Sequence, residues 1–421
     1  MRYTMKLLLI SFFLLCTIVL RAQEYTILLK GGHVVDPKNN INELMDVAIK
    51  ENKVVLVAKN IDAKKAAQVI DVKGLFVTPG IIDIHSHNFF GTLPDHYLGN
   101  GLEALPPDGF TFRAGVTTVV DAGGAGWRTF DAFKRQTIDH SKTRVLSFLN
   151  IVGDGMRGGA YEQDLRDMDT KMTAMVAKQH KEIVGIKVAH YMGGEWDPVD
   201  RAVAAGEIAN VPVMIDFGGN KPPLSIEELF TKHLRPGDIF THAFAQLESR
   251  EAIVDEKGNL RPFVKDAQKN GIIFDVGHGG GSFRFSQAIP ALKSGFLPNT
   301  ISTDIHTGSM NAGMKDQLNV MSKFLNIGMT LQQVIAASTW HPAQVIKREE
   351  LGHITAGAGA DVAVFALQKG KFGYIDSGGF ALQGTQKLQC ELTIRDGKIV
   401  YDLNGISRPL WDAPQSAGTQ R

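Results

Sequence analysis

The sequence predicts an α/β fold: a (β/α)8 TIM barrel with a small β-sandwich domain built from both chain ends. Three observations predict it. Between residues 79 and 347, eight short apolar, strand-like runs alternate with helix-like stretches. Near-continuous apolar strands in such an alternation belong to a parallel sheet covered by helices, and eight repeats suit a closed barrel better than an open doubly wound sheet. On either side of that region, the chain reads as β-structure alone. Finally, 421 residues suit one large barrel with a smaller companion.

The elements follow in chain order. Arg2 and Lys6 precede an apolar run from Leu7 to Leu20, then Arg21, Ala22 and Gln23. A basic start, an apolar stretch and a small residue at its end describe a secretory signal over residues 1–22. The run is shorter than the ~20 residues of a spanning helix. An uncleaved anchor is the alternative, whereas Leu15 is too large for lipoprotein processing at Cys16. The expected location is secreted or periplasmic, with no membrane attachment after cleavage. Cleavage leaves Cys390 as the single cysteine, so no intramolecular disulfide can form.

Residues 23–78 carry short apolar runs separated by polar turns such as Lys30-Gly31-Gly32. Residues 350–404 repeat that style, with Arg395-Asp396-Gly397 as a hairpin turn, so residues 348–421 are read as the second part of the sandwich and a tail. Neither segment makes a good core alone; together they make the β-sandwich. Between them, strand-like runs lie at 81–84, 117–120, 144–149, 183–188, 212–215, 238–240, 271–276 and 300–302. Helix-like stretches include 130–140, 162–181, 225–234 and 315–325.

Composition narrows the function classes. Apolar residues make up 44% and charged residues 21%, which are globular proportions and exclude disorder as the default. A net charge of +1 gives no basic excess for nucleic acid. The expected partner is a small-molecule substrate; a homo-oligomer is left open.

The strongest chemical signal is Thr78-Pro79-Gly80-Ile81-Ile82-Asp83-Ile84-His85-Ser86-His87. Side chains two apart on a strand share a face, so His85 and His87 project together at the end of the first barrel strand. Two neutral imidazoles side by side can chelate a divalent ion. Barrel sites form at the C-terminal ends of strands. There the other runs offer Lys187, Asp216, His242, His278 and Asp304. Six of the thirteen histidines (His85, His87, His190, His242, His278 and His306) lie at such ends, which points to a metal centre.

With these motifs in this order, the chain resembles the amidohydrolase superfamily, in its deacetylase or dihydroorotase-like branch. The resemblance covers essentially the whole mature chain, through the closing Gly352-His353-Ile354 to Asp361. It implies one or two divalent ions, zinc foremost, held by His85, His87, Lys187, His242 and Asp304. Lys187 is implied to carry a carbamate bridging two ions; an unmodified salt-bridge lysine is the alternative. Asp304 is implied to contact metal and act as general base toward a metal-activated hydroxide attacking a carbonyl. The sequence departs from the pattern at Asp216, where the family usually offers a histidine; Asp216 or the nearby His190 can supply the ligand. His278, His306 and Arg284 are expected beside the substrate. The implied activity is hydrolysis of an amide or ester of a small molecule, such as an N-acyl or O-acyl group on a carboxylic acid. A dihydroorotase-like cyclic amidase comes second. A catalytically inactive binding barrel and a nucleobase deaminase are the rivals of other kinds.

Overall fold

The computed structural model describes residues 23–90, 103–216 and 223–412. The expected signal segment, residues 1–22, lies outside the described residues, as does the end of the chain from residue 413. No helix among the described residues is long and apolar enough to cross a membrane.

Two sheets organise the chain. The first contains β1 (Tyr25–Asp36), β2 (Ile41–Lys50), β3 (Lys53–Ala58), β4 (Ala66–Asp71) and β5 (Phe76–Pro79) from one end of the chain. The other end supplies β13 (Val362–Ile375), β14 (Ala381–Arg395) and β15 (Lys398–Asp402). Their order is β15-β14-β13-β5-β1-β2-β3, with β4 also pairing β1. β5 joins the two ends: it runs parallel to β1 and antiparallel to β13, with Val77 opposite Val364. The buried apolar face of this sheet includes Leu29, Val34, Val47, Val77, Val362 and Leu392. The β14–β15 turn has Asp396 and Gly397 both at positive φ (52° and 73°), the geometry that a two-residue Asp-Gly hairpin requires.

The second sheet has seven parallel strands in chain order: β6 (Ile81–Ser86), β7 (Val116–Gly126), β8 (Arg144–Asn150), β9 (Ile183–Ala189), β10 (Val213–Asp216), β11 (Ile239–Phe240) and β12 (Ile273–Phe274). All of β6, β7 and β9 is buried, as apolar strands covered by helices should be. The covering helices include α1 (Phe130–Gln136), α2 (Thr170–Gln179), α3 (Asp197–Ala209), α4 (Pro262–Lys269), α5 (Phe285–Lys293) and α6 (Gln317–Asn326). Between them and the sheet lie fully buried rings, among them Phe240, Phe244, Phe274, Phe296 and Phe324.

Several elements differ from expectation. The eighth run, 300–302, is not a continuous strand. It meets the sheet through single bridges, Asp275 to Thr300 and Ser86 to Ile305. Asp304 at φ 53° breaks the extended ladder there, and the Thr303 hydroxyl is drawn to the Asp83 carboxylate. Of the 162–181 stretch only α2 is α-helical, because Asp169 caps it by accepting from the Lys171 and Met172 amides. The 225–234 stretch becomes one α-turn, Ile226–Glu228, followed by a π-helical turn, Leu229–His233. β7 runs on through Asp121 to Gly126. A Cβ on Gly126 would lie 1.9 Å from the Val152 carbonyl oxygen, so glycine permits this close passage.

Candidate metal centre

The C-terminal ends of the parallel strands deliver the chemistry. His85 and His87 leave the end of β6 on one face, as alternation requires. His190, His242 and Asp304 each sit just past a strand or bridge segment at φ between 53° and 55°. That left-handed backbone costs ~1–3 kcal/mol per non-glycine residue and clusters at functional sites. Here it accompanies three side chains that line one cavity of about 340 Å³.

Hydrogen bonds fix which ring nitrogens are available. Thr241 Oγ1 donates to Asp275 Oδ2 at 2.7 Å, so it accepts from His85 Nδ1–H at 2.8 Å. The His85 Nε2 lone pair is then left facing Lys187 Nζ at 3.4 Å and Asp304 Oδ1 at 3.6 Å. Burial, then the Lys187 ammonium, pulls the His85 pKa down to about 3, so this imidazole is neutral. His242 Nδ1–H donates to the Gly277 carbonyl at 2.5 Å, which leaves its Nε2 3.1 Å from Asp216 Oδ2. A lone pair facing a carboxylate oxygen needs a proton or a cation between them. Nitrogens of His85 and His242 and an oxygen of Asp304 lie within 4.8 Å of one another, all buried. This donor set fits a divalent metal.

Asp304 lies 2.8 Å from His87 Nε2. Burial acts to raise its pKa, yet the neighbouring His85 and His87 rings outweigh it and hold the carboxyl below its ordinary value. A Cβ on Gly279 would sit 2.3 Å from Asp304 Oδ2, so this glycine makes room for the carboxylate. Lys187 is completely buried, and burial lowers its pKa. Its Nζ is 3.8 Å from Asp216 Oδ2. Burial would raise the Asp216 pKa, but His242 and then Lys187 hold it well below the usual carboxylate range.

Two expected contacts, His278 and Arg284, are placed differently. His278 is corrected from substrate neighbour to core residue. Its ring stacks on Phe283 at 4.5 Å, its Nδ1–H donates to the Gly279 carbonyl, and its Nε2 accepts from Lys323 at 2.6 Å. The positive φ of Gly277 and Gly279 turns the chain there and leaves the ring outside the cavity lining. Arg284 is also outside that lining: it stands at the N-terminal boundary of α5 without a side-chain capping bond, and its guanidinium lies where a Cβ on Gly378 would go. His190 has its Nδ1 engaged by Glu162 at 2.9 Å, leaving Nε2 3.8 Å from Asp216. His306 does line the cavity and caps a short turn, accepting from the Gly308 amide.

Besides Thr241 and Asp275, Arg250 and Glu162 escaped the sequence reading. Arg250 is buried against the Phe240 ring and donates to the Thr241 carbonyl at 2.6 Å. Glu162, fully buried, orients His190. Neither is marked by a motif or by a strand end. A larger cleft of about 650 Å³ opens at the other end of the strands, beside Pro212, Asp238 and Asn299. None of the convergent site residues lines it, so its size says nothing of this chemistry.

A protein from Brucella anthropi named "Deacetylase" is 34% identical over 338 residues, covering 78% of this chain and 81% of its own. The chain belongs to the amidohydrolase family. The model of that family matches residues 285–400. A solved structure described as an adenine deaminase superposes on this amidohydrolase with a TM-score of 0.80 at 28% identity, over 90% of this chain and all of that one. One described as a dihydroorotase gives 0.77 at 29% identity, over 89% and 99%. This amidohydrolase is a hydrolase acting on C–N bonds.

Proposed function

We propose that this amidohydrolase is a metal-dependent, deacetylase-like hydrolase that removes an acyl group, as amide or ester, from a small carboxylic acid. The observation that carries the reading is the buried convergence of His85, His242 and Asp304 donor atoms within 4.8 Å. Zinc suits two imidazoles and a carboxylate. A divalent ion there supplies Lewis acidity, polarising a carbonyl and making water acidic near neutral pH.

The residues of the chain do the rest. Asp304, ionised and beside His87, takes a proton from the attacking water and returns it to the leaving amine or alcohol. Thr241 and Asp275 hold His85 in one tautomer, as outer partners of metal-ligating histidines do. His306 and His190, at the cavity wall, offer polar contacts to the substrate. A carbamate on the buried Lys187 belongs to the two-ion form of such a site. A cyclic amidase is the second reading, favoured by the likeness to the dihydroorotase structure.

Segment 300–305, hydrogen-bonded to β12 through Phe274 and to β6 through His85, supports closure of the parallel sheet into a (β/α)8 barrel over residues 79–347. The sheet of β1–β5 and β13–β15 is then its β-sandwich companion. We assign an exported location from the sequence of residues 1–22.

Metal analysis of the purified protein, joined to hydrolysis assays on N-acyl amino acids and O-acyl hydroxy acids, tests the proposal. The expected result is stoichiometric metal and chelator-sensitive release of the free acid. A metal-free protein that hydrolyses nothing on the panel would leave the binding-barrel rival standing.

A further inference from the structure

Asp216 is the site carboxylate most surrounded by nitrogen groups. Its Oδ1 faces Arg250 Nη1 at 3.7 Å, and its Oδ2 faces His242 Nε2 at 3.1 Å, with Lys187 Nζ and His190 Nε2 each at 3.8 Å. Arg250 is anchored: its Nη2 donates to the Thr241 carbonyl, its plane lies over Phe240, and its side chain is 2% exposed. Its Nη1 has no hydrogen-bond partner among the described residues, and Asp216 is the anion facing it. A guanidinium keeps its charge at any working pH. His190 has its Nδ1 held by Glu162, and its Nε2 faces the same Asp216 oxygen as Lys187. Among the His, Cys, Asp and Glu side chains of the described residues, His85, His242 and Asp304 form a group of three whose donor atoms lie within 4.8 Å of one another.

We infer that this site binds a single divalent ion, at His85, His242 and Asp304, and that Arg250 occupies the role of a second ion by neutralising Asp216. The arrangement is self-consistent. Burying an anion requires a paired charge, and a fixed guanidinium supplies it without coordination. A second dication at Asp216 would have to sit against that guanidinium, in an interior that screens repulsion poorly. With one ion there is nothing for a Lys187 carbamate to bridge. Arg250 is then a positioning residue: it acts through Asp216.

The inference rests on the metal-dependent reading, and the ion count separates the two. The folded full-length protein is equilibrated with excess zinc, desalted and analysed by mass spectrometry for ions per chain. One ion is expected. Two ions overturn this inference and leave the hydrolase proposal intact; none overturns the hydrolase proposal. Arg250→Met, which removes the counterion, is expected to admit a second ion in a calorimetric zinc titration, while Arg250→Lys, which keeps the charge, stays at one. A single ion in a folded Arg250→Met protein overturns the counterion role. Should that variant not fold, the wild-type count and the Arg250→Lys titration decide, a second ion in either being the overturning result.

Discussion

The two sides of the cavity are built on different physics. On the β6 side, His85 is aligned by a chain of neutral and charge-assisted hydrogen bonds. Thr241 receives its proton, Asp275 anchors Thr241, and Thr300 and Ser302 donate to Asp275 in turn. On the β9–β10 side, Lys187, Asp216, His190 and Arg250 meet largely as charges, at 3.7–3.8 Å, beyond hydrogen-bond reach. Directional bonds fix an angle, whereas opposed charges fix a sum. The first side is therefore suited to presenting a ligand lone pair, and the second to keeping a buried polar pocket electrically neutral.

Substitutions can break this contrast. Asp304→Asn should have the largest effect, lowering kcat about 10²–10⁴-fold by removing the proton acceptor; initial rates on the best acyl substrate would show it. Asp216→Asn should act on stability instead. Deleting one partner of a buried pair costs about 3–5 kcal/mol, because Arg250 is left uncompensated; urea unfolding reads this, and an unchanged midpoint would refute the charge-balance account of that side. Thr241→Val should leave the fold standing and weaken metal affinity about 10–100-fold, as loss of an outer-shell partner does. Competition with a chelator measures it, and unaltered affinity would mean that the hydrogen-bond chain does not orient His85.

The smallest effect concerns pH. Burial lowers the His190 pKa, but the hydrogen bond to Glu162 and the Asp216 charge outweigh it and raise it to about 9. A raised folded-state pKa means that this interaction stabilises fully below the unfolded value, ~6.5, and is lost as pH rises through about 9. The imidazole is 52% exposed, so solvent screens the pair and the contribution is modest. Glu162→Gln should flatten the fall in melting temperature across that window. An equal fall in both proteins would place its origin elsewhere.

The legible and illegible parts of the site divide along the same line. His85 and His87 were readable because a strand has period two, and local alternation dictates where they point. The Asp396-Gly397 turn was readable because few residues tolerate two consecutive positive φ angles. His278 was misleading. It too follows a strand-like run, but the glycines around it turn the backbone, so position at a strand end did not fix direction. Arg250 and the Thr241–Asp275–His85 chain were not readable, since each contact joins side chains whose meeting depends on tertiary packing. Residues 300–302 read as a strand from their apolar and β-branched start, yet side-chain bonds to Asp83 and the left-handed Asp304 interrupt the ladder.

The position of β5 carries a consequence for how the molecule comes together. Val77 is paired to Val364 across most of the polypeptide, and only Gly80 separates β5 from the strand that bears His85. During synthesis the early strands must wait, one edge unsatisfied, until the last quarter of the chain emerges. Such distant pairing slows folding and leaves a sticky border meanwhile. Trimming the carboxyl-terminal hairpin would thus strip support from the opposite end of the protein, immediately next to the first pair of histidines.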